Sequence, residues 1–308
     1  MRKVVVTGGA GFIGSNLIPK LAELDDCQIT VIDNEYIGKL SLFEELNVEC
    51  VKADILDKEL MEQLVNGTDT IFHFAADTRV VNSIEKPDFN FENNVVGTYN
   101  LLCAARKAGV RRFLNASTGG AILGEIEPPS HEEMAPRPLS PYGASKLAAE
   151  GYCSAFYGAY NLKTASLRFS NIYGPRSFHK GSVIAHFFKK ILTGGELIVY
   201  GDGSQTRDFL YVDDLVSGLC KFMQSDATGI FQLGSGQPIT INDLISSIKV
   251  VVGHGYNIQP RYAAFRPGEV RHTYCDINKA RKEVNFSVKT SLECGLRQTW
   301  KWFLSETR

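Results

Sequence analysis

The sequence predicts an α/β protein: a doubly wound parallel sheet with a smaller, partly interleaved α+β unit. Three observations carry the prediction. Short β-branched runs alternate with helical patterns through the first half, a glycine-rich turn joins the first strand to the first helix, and the rhythm changes after about Asn171. Lys3–Thr7, Gln28–Ile32, Val48–Lys52, Thr70–His73, Arg112–Asn115 and Thr164–Leu167 read as strands. Between them Phe12–Leu24, Lys58–Val65, Asn90–Lys107 and Pro141–Tyr160 read as helices. Right-handed crossovers turn such βαβ units into a parallel sheet covered on both faces. Pro19 lies inside the first helix, removes one backbone donor and predicts a kink.

Beyond Asn171 the pattern is helical, over Val183–Leu192, Asp213–Met223, Asn242–Val252 and Leu292–Leu304, with one apolar strand at Gly229–Leu233. The expected division is therefore a dinucleotide-binding domain over 1–170, to which 229–236 returns, and a second domain over 171–308.

Composition narrows the function. The 308 residues carry 33 Lys and Arg against 34 Asp and Glu, a net charge of −1, so there is no basic excess to grip a nucleic acid. Hydrophobic residues at 44% and charged residues at 22% exclude a disordered chain. The apolar run Val4-Val5-Val6 is too short for a signal-peptide core, and no stretch approaches the ~18 apolar residues of a membrane span. Seven scattered cysteines include no Cys-x-x-Cys pair. That suits reduced thiols in a cytosol, with neither a disulfide framework nor a metal site. A cytoplasmic protein with no membrane or nucleic-acid partner is expected.

Gly8, Gly11 and Gly14 fall where strand one turns into helix one. Residues without Cβ let backbone N–H groups approach a pyrophosphate, and the helix N-terminus adds partial positive charge. Asp33 closes the second strand about 20 residues on, where a carboxylate can accept from both ribose hydroxyls and repel a 2′-phosphate. NAD is thus favoured over NADP. Asp54, at the end of the third strand, has two readings: it reaches the adenine amino group, or it caps the next helix.

Tyr142 and Lys146 stand four apart at the start of a helix, on one face. An ammonium one turn away, together with a nicotinamide cation, would stabilise a phenolate and lower the tyrosine's pKa enough for base catalysis. Ser117 and Thr118 close the fifth strand at the carboxyl edge of the sheet, where a hydroxyl can hold a substrate oxygen. These are the parts for hydride transfer at a carbinol.

In their order, the 8/11/14 glycines, Asp33-Asn34, His73-Phe74-Ala75-Ala76, Asn93-Asn94-Val95-Val96-Gly97-Thr98, Ser117-Thr118-Gly119-Gly120 and Tyr142…Lys146 resemble the extended short-chain dehydrogenase/reductase family. So do Leu167-Arg168-Phe169-Ser170-Asn171-Ile172-Tyr173-Gly174-Pro175, Gln205-Thr206-Arg207-Asp208-Phe209 and Arg266-Pro267-Gly268-Glu269. The likeness covers nearly the whole chain and is strongest to the nucleotide-sugar epimerases and dehydratases. It implies a Rossmann-type sheet domain binding NAD through Gly8, Gly11, Phe12, Ile13, Gly14, Asp33, Asn34, Asp54, Ile55, Phe74, Ala75, Ala76, Asn93, Tyr142 and Lys146. It also implies a catalytic set of Thr118 (with Ser117 behind it), Tyr142 and Lys146. On the substrate side it implies Arg207 and Arg266 at a diphosphate, Glu269 at the nucleotide's ribose, Tyr200 on the base and Asn171 near the diphosphate–sugar link. Relatives dimerise through the helices corresponding to Asn90–Lys107 and Pro141–Tyr160, so a homodimer is expected.

Within that family the first step is oxidation at sugar C4. Dehydratases then need an added acid, carried by an Asp-Glu pair after the active-site threonine. Here Gly119-Gly120 follow Thr118, and Glu125 is a displaced substitute. The motif also carries one extra residue before Gly124, and Leu123 stands where a tyrosine is usual. The resemblance thus implies an NAD-dependent 4-epimerase for a UDP-linked sugar, of UDP-glucose/UDP-galactose type. A small residue at Thr273 would admit an N-acetylhexosamine. A UDP-hexuronic acid 4-epimerase or decarboxylase, with Arg176 or Arg79 on the sugar carboxylate, is the alternative, followed by a 4,6-dehydratase and a non-catalytic NAD-binding protein.

Overall fold

The computed structural model describes residues 1–265 and 270–306. Its centre is a sheet of seven strands: β1 (Arg2–Thr7), β2 (Cys27–Asp33), β3 (Glu49–Lys52), β4 (Thr70–His73), β5 (Arg112–Thr118), β6 (Lys163–Phe169) and Gly229–Leu233. They lie in the order Gly229–Leu233, β6, β5, β4, β1, β2, β3, and every pairing is parallel. The strand at 229–233 does return to the sheet, beside β6. Both faces are covered, so the strands need not alternate with polar residues. Val4 and Val6 face a core shared with Leu17, Ile18, Phe222 and Phe303. Val5 faces the opposite core, with Leu101, Phe113 and Phe156.

Helix α1 (Phe12–Ala22) follows β1, α2 (Lys58–Leu64) follows β3, and α3 (Val80–Glu85) follows β4. The helix expected from Asn90 begins earlier, as α4 (Pro87–Phe91), and passes through a wide π turn, Glu92–Val96, into α5 (Gly97–Lys107). That turn swings Asn94 inward, where it bonds the Asp77 backbone. A short α6 (Gly119–Leu123) leaves β5, and α7 (Pro141–Tyr160) matches its expected span. Ser140 caps α7 by accepting from Gly143 N at 3.2 Å, with Pro141 in the first turn, where a missing N–H costs nothing.

Pro19 does not end α1, which runs on to Ala22. Proline leaves the carbonyl four residues earlier without its helical donor. That carbonyl belongs to Ser15, and the Arg176 guanidinium donates to it from the far segment. Asn16 Nδ2 adds a bond to Pro175 O at 3.2 Å. The helical irregularity thus becomes a tie between the two halves of the chain.

The second half holds helices Val183–Leu192, Val212–Gln224, Ile241–Val252 and Leu292–Glu306, close to expectation. Three small two-stranded pairings were not foreseen: Asn171–Tyr173 with Phe209–Tyr211, Leu197–Tyr200 with Pro260–Ala263, and Thr206–Arg207 with Ile239–Thr240. Strands of two to four residues are too short to show a period-two pattern. All seven cysteines are free thiols. Among the described residues no helix is long and apolar enough to cross a membrane.

Candidate active site

The sheet order reverses at the β1/β4 junction, where a doubly wound sheet opens a ligand crevice at its carboxyl edge. The glycines sort by what surrounds them. Gly8 has φ +64°, and a Cβ there would lie 2.5 Å from Ala75 N. A Cβ on Gly14 would run into the Gly9 carbonyl. These two are required by the protein's own packing. Gly11 is different: its φ of −72° suits any residue, and a Cβ would touch only Gly8 O, at 3.1 Å. Gly11 also begins α1, which has no side-chain cap and no acid in its first turn, so the N–H groups at Phe12 and Ile13 face the crevice without a counter-group. The loop is shaped for a phosphate to approach closely.

Asp33 is buried at the end of β2, accepting from Ala10 N at 3.0 Å and Glu35 N at 2.8 Å. Burial raises its pKa despite those two bonds. The donors fix the carboxylate's orientation and leave lone pairs for a diol. Asn34 Nδ2 donates to Asp54 Oδ2 at 2.9 Å, which ties the tips of β2 and β3. Asp54 does not cap α2: Asp57 does, accepting from Leu60 N at 3.0 Å. Ile55 is buried and packs against Gly97. Phe74 bonds Thr7 O at 2.9 Å and sets Ala75 against Gly8, with Ala76 next in the same loop. Asn93 bonds back to Phe89 O on its own helix, whereas the buried neighbour is Asn94.

Gly143 lets the start of α7 rest on α6, because any Cβ there would strike the Ala121 carbonyl. This brings Tyr142 to Thr118, whose side chain draws the phenol's pKa down. Ser117 is engaged elsewhere: its hydroxyl donates to Glu150 Oε1 at 2.6 Å in the interior. Lys146 is 5% exposed and donates to Ala116 O at 3.0 Å. Burial holds its amine down at about 8, against an upward pull from Cys153 and Glu150. Burial first and the Asp77 carboxylate second push the Tyr142 phenol up to about 12, and Thr118 only partly offsets them. Lys146 is turned to the Ala116 carbonyl, so the lowering expected of the pair is not supplied by these side chains alone.

A second layer escaped the sequence reading. His73 bridges Thr7 and Thr98, with 2.8 Å at each ring nitrogen, and burial holds it neutral, near 3. Thr98 donates to Asn94 O, Asn94 Nδ2 donates to Ser145 Oγ at 3.0 Å, and Ser145 donates to Tyr142 O at 2.9 Å. One buried chain of polar groups therefore links β1 to the first turn of α7. Its members His73, Asn94 and Thr98 stand in the motifs that carry the family resemblance, but nothing in the motifs shows that they bond to one another.

In the second half of the chain, Asn171 opens the strand Asn171–Tyr173, and Tyr200 closes Leu197–Tyr200, each half-buried. Arg207 Nη1 donates to Thr206 O at 2.8 Å and Arg271 O at 3.1 Å. Thr273 N donates to Thr206 O at 3.2 Å, so this residue lies alongside Arg207. Arg266 and Glu269 lie outside the described residues. Gly119 abuts Gln232, whose Oε1 would be 2.7 Å from a Cβ, whereas a Cβ at Gly120 meets open space. Leu123 is fully buried and Glu125 is exposed.

A doubly wound sheet with a glycine turn at its crevice, a buried carboxylate closing β2 and a threonine–tyrosine–lysine set defines a dinucleotide-dependent enzyme acting on a carbinol. Residues 4–234 match the model of the NAD dependent epimerase/dehydratase family, and the chain belongs to that family. It is 33% identical over 315 residues to UDP-glucose 4-epimerase of Mycolicibacterium smegmatis, spanning 99% of this chain and 100% of that one. Among solved structures, UDP-glucose 4-epimerase from Thermotoga maritima with UDP-glucose superposes with a TM-score of 0.94 at 36% identity, covering 99% and 100% of the two chains. UDP-N-acetylglucosamine 4-epimerase from Methanobrevibacter ruminantium gives 0.93 at 33%, covering 99% of each. UDP-glucuronic acid 4-epimerase from Bacillus cereus, solved with UDP-glucuronic acid and NAD, gives 0.91 at 29%, again covering 99% of each. The protein is an NAD-dependent enzyme of nucleotide-sugar chemistry.

Proposed function

We propose that this chain is an NAD-retaining nucleotide-sugar 4-epimerase for a UDP-hexose of the glucose/galactose type. The observation that carries the reading is the Thr118–Tyr142–Lys146 set in which Gly119-Gly120, and not an Asp-Glu pair, follow Thr118. Elimination needs an acid/base after Thr118, and Gln232 fills the space beside Gly119 while Glu125 is exposed. NAD, when bound, would supply the hydride acceptor and donor for sugar C4. The side chains do the rest. Thr118 holds the C4 oxygen, Tyr142 removes and restores its proton, and Lys146 supplies positive charge. Gly8, Gly11, Gly14, Asp33 and the first turn of α1 hold the dinucleotide. Asn171, Tyr200, Arg207, Arg266 and Glu269 hold the nucleotide sugar. In this reading 1–170 with 229–236 forms the cofactor domain and 171–308 the sugar-nucleotide domain.

A second reading, a UDP-hexuronic acid 4-epimerase or decarboxylase, has one observation in its favour. Arg176 is spent on Ser15 O, but Lys180 lies over the Phe12 ring at 4.5 Å and donates to Ile172 O, without a carboxylate partner among the described residues. Burial holds that amine down at about 8. A C6 carboxylate would be a counter-ion for it.

Incubation with UDP-glucose, UDP-N-acetylglucosamine and UDP-glucuronate, followed by NMR, separates the readings. The first proposal expects UDP-galactose from UDP-glucose at unchanged mass. Turnover of UDP-glucuronate alone would replace it with the second.

We also propose a cytoplasmic homodimer formed through α5 and α7. Tyr99, Tyr152, Tyr157 and Tyr160 are exposed there, and Tyr99 packs on Tyr152 with ring centroids 5.3 Å apart. Aromatic patches of this kind mark contact surfaces. Light scattering should return twice the chain mass; a monomer at micromolar concentration would exclude the dimer.

A further inference from the structure

Beneath the candidate site, Ser117, Glu150 and Arg168 form a buried polar cluster. Glu150 lies on α7 one turn beyond Lys146 and two beyond Tyr142, so the three share a helix face. Arg168 on β6 is the register partner of Ser117 on β5. Its guanidinium grips Glu150 with two prongs, Nε to Oε1 at 2.9 Å and Nη2 to Oε2 at 2.7 Å. Ser117 completes the cluster on Oε1. The Arg168 and Glu150 side chains are 1% and 2% exposed.

Such a pair is a costly way to hold a fold together. Removing both charges from water cancels much of their attraction, and well-packed apolar side chains commonly stabilise a core as well or better. What an ion pair adds is direction, because a two-pronged guanidinium fixes angle as well as distance. Here the direction bears on the reacting groups. Lys146 is tied to the carbonyl of residue 116 and Glu150 to the hydroxyl of residue 117, the two positions immediately before Thr118. Helix α7, carrying Tyr142, and the end of β5, carrying Thr118, are thereby locked together one turn below the chemistry.

We propose that the Glu150–Arg168 pair is a positioning device: it sets Tyr142 and Lys146 against Thr118 and uses Ser117 as its pin. Ser117 is then a positioning residue and not the substrate-facing hydroxyl. The inference rests on the reading of Thr118, Tyr142 and Lys146 as the reacting set.

The test is a Glu150→Met/Arg168→Met double variant of the full chain, which removes the charges and keeps an apolar filling. Its melting temperature should stay within about 5 °C of the parent, with NAD still bound. Turnover of the UDP-sugar should fall about 100-fold, the scale of a small misplacement, while KM changes less than about threefold. A second readout needs no substrate. The absorbance titration of Tyr142, taken as parent minus Tyr142→Phe, should move to higher pH as Thr118 is displaced from the phenol and its lowering influence is lost. Besides Thr118, the group acting on that phenol is the Asp77 carboxylate from the β4–α3 loop, which the double variant leaves in place. A folded double variant with turnover within about threefold and an unmoved titration overturns the proposal. Should the double variant fail to fold, Ser117→Ala, which leaves the ion pair intact, must still shift the titration upward; an unmoved one overturns the proposal. If the parent turns over no UDP-sugar, the functional reading fails, and the Tyr142 titration still decides the positioning role.

Discussion

Tyr142→Phe is expected to lower turnover by about 1,000-fold or more while leaving NAD bound and the fold intact. The hydroxyl is the only group removed. It sits against Thr118 and has no second role in the helix, since α7 is capped by Ser140 and anchored by Lys146 and Glu150. Its pKa of about 12 in this site means that a phenolate cannot form unaided near neutral pH. A cation arriving with the cofactor must supply what burial and Asp77 take away, as opposite charge favours the ionised form. The pH profile has a matching sign. Lys146 contributes positive charge below its pKa, and that pKa is held at about 8, so turnover should fall as pH rises through that value. A rate that is undiminished in Tyr142→Phe, or that keeps rising well above pH 8, contradicts these roles.

Gly14→Ala and Gly11→Ala should fail in opposite ways. A Cβ at 14 drives into the Gly9 carbonyl, which belongs to the backbone of the loop and cannot rotate aside. The expected cost is about 2–3 kcal/mol, a fall in melting temperature of roughly 5 °C or more. A Cβ at 11 meets only Gly8 O at 3.1 Å, and its backbone angle is ordinary. Gly11→Ala should therefore melt within about 2 °C of the parent yet lose NAD affinity by tenfold or more, because the methyl occupies the approach of the pyrophosphate. Calorimetry and an NAD titration on the two variants check both halves. Equal melting temperatures for the pair would remove the distinction drawn between the glycines.

The sheet was legible because its strands are buried on both faces and so read as unbroken β-branched runs, Val4-Val5-Val6 being the plainest. Pro141–Tyr160 was legible from Ser140 and Pro141 at its start. The π turn at Glu92–Val96 was not, since it depends on Asn94 reaching Asp77 across space. In the site, the positions of Gly8, Asp33, Tyr142 and Lys146 follow from local order along the chain. The division of labour between Ser117 and Thr118 does not, for it is decided by Glu150, 33 residues away in the chain. Pro19 read as a defect because Arg176, which occupies the carbonyl it frees, lies far along the sequence.

The most direct measurement follows a deuterium placed at C4 of UDP-glucose through one conversion. The account predicts UDP-galactose of unchanged mass with the deuterium still at C4, because the hydride leaves and returns within a closed site. A product lighter by water or carbon dioxide, or an epimer whose C4 deuterium has been replaced by solvent hydrogen, would contradict it.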